Sequence, residues 1–220
     1  MAKETVLIVS GGEKENIAEL LGAYDEWRNA QFIGVDAGNM TLLELGYPID
    51  LAVGDFDSIS NEQMEMLKLV AKEIHVLPAE KDDTDTQVAL LLAMKKFPEA
   101  SSFRIFGATG GRIDHFLSNL FLPLEERFAS IAEKIEFHNE KNVVKFFGKG
   151  THRWFKNVEM KYLGFANLTP VEKFTILDAK YTLPSTNITQ LFAYPSNEFL
   201  GNKVHFSLEK GLIVGVQSKD

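Results

Sequence analysis

The sequence from Val6 to Leu124 alternates short apolar runs with segments of helical periodicity. The apolar runs predict strands at 6–9, 32–35, 51–53, 74–77 and 103–106. Apolar residues spaced three and four apart predict helices within 17–24, 40–45, 60–71, 84–97 and 114–124. Strands that alternate with helices favour a parallel sheet with helices on both faces, a Rossmann-like α/β domain.

The pattern changes near residue 130, where helical periodicity ends. Short apolar and β-branched runs, separated by turn residues, then predict strands at 135–138, 143–147, 151–155, 159–165, 174–177, 203–208 and 212–216. Short strands without a long helix are typical of a β-sandwich. We therefore predict an α/β domain over residues 1–130 and a C-terminal β-sandwich over residues 131–220.

Charge and composition narrow the classes of function. The chain has 23 Lys and Arg against 31 Asp and Glu, a net charge of −8, which argues against nucleic-acid and anionic-membrane partners. It has no cysteine, so disulfides and thiolate metal sites are excluded. The longest apolar run near the N-terminus, 6–9, is too short for a signal sequence or a membrane span, and we expect a cytoplasmic protein.

Acidic residues follow several predicted strands. Asp36 follows the second strand, and Asp55 and Asp57 follow the third. The carboxyl ends of parallel strands form one edge of a sheet, where ligands bind. The spacing of Asp55 and Asp57 places two oxygen ligands on one side of an extended backbone, which suits Mg²⁺. The alternative is a turn, since this spacing also arises by chance and an isolated Asp often caps a helix.

A second charged cluster, Lys81 to Asp85, precedes a predicted helix. Asp82 and Asp83 fit helix capping as well as they fit ligand binding. Asp85 would lie in the first helical turn, facing the strand ends, and is the better candidate for a metal ligand.

The segment 107–115 follows the fifth predicted strand and joins a glycine-rich loop to a cation, an acid and an imidazole. Such a loop can present backbone N–H groups to phosphate oxygens, and the helix after it favours an anion. Arg112 adds a forked cation. Asp114 and His115 fit a helix cap and a structural histidine equally well.

These motifs, taken in order, resemble the thiamine pyrophosphokinase family. The matching segments are Val35-Asp36-Ala37-Gly38, Gly54-Asp55-Phe56-Asp57-Ser58, Lys81-Asp82-Asp83-Thr84-Asp85, Gly107 to His115 and Ser196-Asn197-Glu198-Phe199. The resemblance implies an α/β catalytic domain, a β-sandwich, and a homodimer that holds thiamine between the two kinds of domain. It implies transfer of pyrophosphate from ATP to the thiamine hydroxyl, with release of AMP.

The resemblance also implies roles for individual residues. The expected catalytic residues are Asp55, Asp57, Asp85 and Arg112, of which the three acids would hold Mg²⁺. The expected ATP and phosphate site comprises Asp36, Lys81, Asp82, Thr109, Gly110, Gly111, Arg112, Asp114 and His115. Ser196 and Asn197 match the thiamine side. Asp114 and His115 would orient the phosphate loop.

Two departures from the family pattern stand out. Ala37 replaces a glycine, and no tryptophan occurs near the C-terminus, where some members stack one on thiamine. Phe192, Tyr194 and Phe199 are the aromatic alternatives.

Two other functions stay open at this point. One is another Mg²⁺-dependent hydrolase or phosphotransferase, such as a nucleotide hydrolase with Asp55 as nucleophile. The other is a non-catalytic sensor of thiamine or a nucleotide.

Overall fold

A computed structural model of the chain describes residues 4–12, 16–22, 30–57 and 59–220. It divides into two compact units, Met1–Leu122 with Phe137–Glu140, and Pro123–Glu136 with Lys141–Asp220. The part of the predicted first helix beyond Gly22, and Ser58 of the segment Gly54 to Ser58, lie outside the described residues. Within the described ranges, no helix is long and apolar enough to cross a membrane.

The first unit contains a parallel sheet that runs in the order β5-β1-β2-β3-β4. Its strands are β1 (Thr5–Val9), β2 (Gln31–Val35), β3 (Leu51–Gly54), β4 (Ile74–Val76) and β5 (Ser102–Phe106). The helices are α1 (Ile17–Gly22), α2 (Ala37–Glu44), α3 (Asn61–Val70), α4 (Asp85–Lys96) and α5 (Ile113–Phe121). The central strand β1 pairs with both β2 and β5, and its last four residues are buried. The predicted alternation of strands and helices is confirmed.

Local sequence fixes where two of the helices begin. Ser60 and Gln63 form a capping box at α3, and Thr84 and Gln87 form a second one at α4. In each box the hydroxyl accepts from the N3 amide while the glutamine accepts from the N-cap amide. The second box matters for the site, because it fixes Asp85 as the first residue of α4.

The second half of the chain forms antiparallel strands in two sets of four, in the orders β12-β9-β14-β7 and β11-β10-β13-β8. The eight strands of these sets are β7 (Asn142–Phe147), β8 (Gly150–Phe155), β9 (Tyr162–Asn167), β10 (Val171–Ile176), β11 (Leu183–Ile188), β12 (Ala193–Glu198), β13 (Lys203–Leu208) and β14 (Ile213–Ser218). The short strand β6 (Ile135–His138) precedes them and belongs to neither set. Buried residues of both sets, including Phe147, Phe165, Phe174 and Phe206, share one core. The expected all-β C-terminal part is confirmed.

Two strands and one segment escaped the sequence pattern. The edge strands β11 and β12 contain Pro184 and Pro195, and edges are where a sheet tolerates proline. Both strands are largely exposed, so they lack the apolar alternation of a half-buried strand. The 3₁₀ segment Glu126–Lys134 was also not predicted, whereas the predicted helix 114–124 ends as a 3₁₀ turn over Leu122–Leu124.

Candidate active site

A cavity of about 430 Å³ opens in the first unit beyond the carboxyl ends of the parallel strands. Its lining comes from the residues that follow β1, β2 and β5, the first turn of α4, and one face of α5. Among the predicted site residues, Asp36, Asp85, Gly110, Gly111, Arg112 and His115 line it. Ligands of open α/β sheets bind at this kind of position.

Asp36 lies directly after β2, at the N-terminus of α2, yet its side chain does not cap that helix. Its backbone has a positive φ of 50°, and Oδ1 is buried without a hydrogen-bond partner. Gly54 leaves the necessary space, because a Cβ there would approach Asp36 Oδ1 to 2.5 Å. Packing therefore holds the carboxylate beside β3 and leaves its hydrogen-bonding capacity unused.

The pKa of Asp36 is raised to about 6, above all because the side chain is buried. The negative charges of Asp85, Asp55 and Asp57 contribute to this rise, while the positive charge of Lys81 opposes it. The structure therefore brings the three strand-end acids, Asp85 and Lys81 into one electrostatic neighbourhood, as the sequence predicted.

Asp85 occupies the first turn of α4 and shares its neighbourhood with Lys81. Lys81 Nζ lies 3.1 Å from Asp85 Oδ1, but the ammonium group directs a hydrogen bond to the carbonyl of Pro78 at 3.1 Å. Asp85 Oδ1 itself is buried without a hydrogen-bond partner. Asp85 Oδ1 thus has the Lys81 ammonium as a nearby counter-charge but accepts no hydrogen bond.

Asp55 and Asp57 lie at the edge of this neighbourhood. The backbone N–H of Asp57 donates to Asp55 Oδ1 at 3.2 Å, a local turn bond. Asp55 is half-buried and Asp57 is exposed, and neither lines the cavity. In the described ranges, no three His, Cys, Asp or Glu side chains are grouped so that they could hold a metal ion. The predicted metal ligands are thus neighbours, but they do not form a complete coordination site.

The glycine-rich loop after β5 is fixed by three hydrogen bonds. Gly12 N donates to the carbonyl of Gly107 at 3.0 Å, and a Cβ on Gly12 would lie 2.1 Å from that oxygen. Asn119 of α5, which is buried, donates from Nδ2 to the carbonyl of Ala108 at 2.8 Å. Thr109 is buried outside the cavity lining, where its hydroxyl accepts from Asn139 Nδ2 at 2.7 Å. The side chain of Thr109 therefore stabilises the loop.

Arg112 and Asp114 form an exposed two-bond ion pair at the start of α5. Arg112 Nε and Nη2 donate to the two carboxylate oxygens at 3.2 and 2.6 Å. The guanidinium holds the pKa of Asp114 below its usual value. Asp114 neither caps α5 nor lines the cavity. Asp114 orients Arg112. Two other predicted site residues, Lys81 and Asp82, also lie outside the cavity lining.

In the second unit, Ser196 and Asn197 have different surroundings. Ser196 is exposed, with a positive φ of 60°, at an irregularity in the pairing of β12 with β9. Asn197 is buried, and its amide bonds to backbone on both sides. Oδ1 accepts from Tyr181 N and Glu198 N at 2.9 Å, and Nδ2 donates to Tyr181 O at 2.7 Å.

The three aromatic alternatives lie in or beside β12. Phe192 is exposed and its ring meets that of Tyr194 edge-on at 4.8 Å between centroids. Tyr194 and Phe199 are partly buried against the core of the second unit. Phe192 therefore offers the most accessible ring of the three.

Three polar residues of the cavity lining lie outside the matching segments and were missed by the sequence analysis. Ser10 follows β1, Thr86 lies in the first turn of α4, and Asn119 is the polar residue on the buried side of α5. The signal for Asn119 was a buried polar position in an amphipathic helix, and for Ser10 its place after a strand. Thr86 carried no sequence signal beyond its proximity to Asp85.

Comparisons with known proteins agree with this architecture. Residues 23–135 match the family description "Thiamin pyrophosphokinase, catalytic domain", and residues 151–213 match "Thiamin pyrophosphokinase, vitamin B1 binding domain". The chain is 36% identical over 220 residues to the thiamine pyrophosphokinase of Bacillus subtilis, covering 99% of this chain and 100% of that protein.

Solved structures give the same result. A thiamin pyrophosphokinase family protein from Enterococcus faecalis superposes with a TM-score of 0.87 at 39% identity, over 98% of this chain and 99% of that one. Yeast thiamin pyrophosphokinase shares the fold with a TM-score of 0.73 at 14% identity, over 99% of this chain and 87% of that one. The chain belongs to the thiamin pyrophosphokinase family.

Proposed function

We propose that this protein transfers a pyrophosphoryl group from ATP to the hydroxyl of thiamine and releases AMP. The observation that carries the proposal is the cavity at the strand ends. It combines two buried carboxylate oxygens without hydrogen-bond partners, those of Asp36 and Asp85, with a glycine-rich loop, in a chain of this family. A triphosphate needs N–H donors, and an acidic site beside it needs a cation.

The glycine-rich loop and the start of α5 would bind the phosphates. Gly110 and Gly111 line the cavity with positive φ values of 87° and 64°, a backbone conformation that favours glycine. Asn119 and the Gly12–Gly107 contact hold the loop in place. Arg112, held by Asp114 at the mouth of the cavity, would then stabilise charge on the transferring group.

The acids suit Mg²⁺ by the chemistry of their ligand atoms. In nucleotide enzymes Mg²⁺ binds through one or two carboxylates plus substrate phosphates and water, so a finished protein cage is not required. Asp85, with its unused oxygen, and Asp55 and Asp57 beside it would hold the ion. When bound, the ion would supply neutralising charge between the acids and the triphosphate.

Asp36 is the best candidate to accept the proton of the thiamine hydroxyl. With its pKa raised to about 6, the carboxylate is a stronger base than an ordinary Asp and is still ionised at neutral pH. Asp36 lines the cavity, and its buried Oδ1 accepts no hydrogen bond from the described residues. The attacking hydroxyl oxygen would bond to the β-phosphorus while the bond to the α-phosphate oxygen breaks and AMP leaves.

Thiamine would contact the second unit of a homodimer, with Ser196 and Phe192 as its exposed contacts. Asn197 would hold the neighbouring backbone.

An apolar face on α5 supports the dimer. Ile113, Leu117 and Phe121 lie four residues apart and are 73%, 41% and 45% exposed. Such a stripe is normally covered by another surface. A cytoplasmic location stays a prediction.

The test is to incubate the pure protein with ATP, Mg²⁺ and thiamine and to follow AMP and thiamine diphosphate together. Equal and thiamine-dependent formation of both is expected. Phosphate or AMP formed without thiamine would instead identify a nucleotide hydrolase. No turnover, with thiamine still raising the melting temperature, would identify a sensor.

A further inference from the structure

Two hydroxyl groups meet on the wall of the cavity, and the chemistry described above does not use them. Ser10 Oγ and Thr86 Oγ1 lie 3.2 Å apart, although the residues are 76 positions apart in sequence. Both side chains are buried and both line the cavity. Ser10 follows the central strand β1, where its N–H donates to the carbonyl of Phe106, and Thr86 lies in the first turn of α4.

The pair has one hydroxyl proton to spare. Two hydroxyls carry two protons, and the bond between them uses one. Among the described residues, neither hydroxyl has another hydrogen-bond partner. A buried donor without an acceptor is unfavourable, so the second proton is available to a ligand that enters the cavity.

The surroundings indicate which ligand atom would accept this proton. Arg112 is the single Lys or Arg in the described lining, and it is exposed at the mouth of the cavity. The buried wall carries Asp36 and Asp85, which repel a phosphate. A neutral donor is therefore the group that this wall can offer to an anion, and the N-terminus of α4 beside it favours negative charge.

We propose that the Ser10–Thr86 hydroxyl pair donates a hydrogen bond to a phosphate oxygen of ATP and positions the triphosphate against the acids. The proposal rests on the proposed function, because it requires the cavity to bind ATP. Ser10 and Thr86 are substrate-binding residues in this assignment: the Ser10 hydroxyl donates to Thr86 Oγ1, and the Thr86 hydroxyl donates to the phosphate oxygen.

The deciding comparison is between Thr86→Val, which keeps the shape and loses the hydroxyl, and Thr86→Ser, which keeps the hydroxyl. Binding of α,β-methylene-ATP with Mg²⁺, measured by calorimetry, should weaken about tenfold in Thr86→Val and recover in Thr86→Ser. In steady state the KM for ATP should rise in Thr86→Val, with a smaller change in kcat and no change in the KM for thiamine.

A matched control pair lies at the opposite end of β1. Thr5 and Ser102 also form a hydroxyl pair, at 3.3 Å, but at the starts of β1 and β5, away from the cavity. Thr5→Val should leave the affinity for the analogue unchanged. If Thr86→Val also leaves it within twofold, or if Thr86→Ser does not restore it, the proposal is wrong.

Adenosine binding identifies the part of the nucleotide that the pair contacts. Weakened binding of adenosine in Thr86→Val would assign the hydroxyls to the nucleoside and overturn the phosphate assignment. The binding measurements do not depend on turnover. Wild-type protein that binds the analogue but forms no thiamine diphosphate would therefore contradict the proposed function and leave the Thr86 comparison decisive for the pair.

Discussion

Buried polar groups behave differently in the two units. In the first unit, Asp36 and Asp85 each bury a carboxylate oxygen that has no hydrogen-bond partner. In the second unit, the buried amides of Asn197 and Asn167 are occupied by backbone groups, with Asn167 bonding to Thr169, Gln190 and Phe192. Unsatisfied groups cost stability and persist where a ligand completes them, whereas satisfied groups hold a loop in place. We therefore assign the unsatisfied acids of the first unit to ligand binding, and the hydrogen-bonded amides of the second unit to the framework, the residues that hold the backbone in place.

The largest effect should follow from a change to an unsatisfied acid. Asp85→Asn keeps the size of the side chain and removes its charge, so turnover should fall at least about a hundredfold, the loss typical of removing one group that stabilises a transition state. A second substitution, Asp57→Asn, should abolish turnover. Because the repulsion between Asp85 and Asp36 offsets the attraction between Asp85 and Lys81, the Asp85→Asn protein should remain folded with a melting temperature close to that of the wild type.

Activity is measured as thiamine-dependent AMP formation, and folding by thermal unfolding. The matched control is Glu62→Gln, a similar loss of charge at an exposed position in the first turn of α3. It should leave turnover unchanged. Near-normal activity of Asp85→Asn would remove Asp85 from the proposed site.

The sequence predicted where the unsatisfied acids of the first unit lie better than it predicted the hydrogen bonds of the buried amides in the second unit. Alternating strands and helices fix the polarity of a parallel sheet, and that polarity brings Asp36 and Asp55 to one edge. Asn197 resembled a ligand contact in sequence, because nothing in its neighbours shows that the backbone of Tyr181 lies against it. The pairing of Ser10 with Thr86 depends likewise on how α4 packs against β1, which no local pattern encodes.

Asn197→Ala tests whether a buried, fully hydrogen-bonded amide of the second unit stabilises the fold. The substitution removes three hydrogen bonds and leaves the amides of Tyr181 and Glu198 without their acceptor. At about 1 kcal/mol per bond, the free energy of unfolding should fall by about 2–3 kcal/mol. Denaturant unfolding measures the loss. Asn197→Asp retains the acceptor for both amides but places a carboxylate oxygen against the carbonyl of Tyr181, so it should lose stability as well. An unchanged stability of Asn197→Ala would show that Asn197 is not part of the framework.

A smaller effect is expected at Asn119, which both holds the glycine-rich loop in place and lines the cavity. Asn119→Ala frees the carbonyl of Ala108 and loosens the glycine-rich loop, so stability should fall by about 1 kcal/mol. The KM for ATP should rise, because a loop that must be ordered on binding weakens affinity. Steady-state kinetics and thermal unfolding separate the two effects. A stability loss without any change in the KM for ATP would assign Asn119 to the framework alone.

The smallest effect is a pH dependence at Asp36. Its pKa is about 6 in the folded protein, against an ordinary value of 3.8, so the folded state holds the proton more tightly. The carboxyl therefore favours folding fully below pH 3.8, and this contribution is lost as the pH rises through 6.

Asp36→Asn has no such titration, so the difference in stability between the two proteins should be small at low pH and grow between pH 4 and 6. Above pH 6 the variant should be more stable by about 1 kcal/mol, since water reaches part of the side chain and screens its charge. Asn also tolerates the positive φ at this position, so backbone strain should not obscure the comparison. Thermal unfolding with a chelator present measures both proteins. Parallel pH profiles would mean that the Asp36 carboxyl is satisfied in solution, and the contrast between the two units would then rest on Asp85 alone.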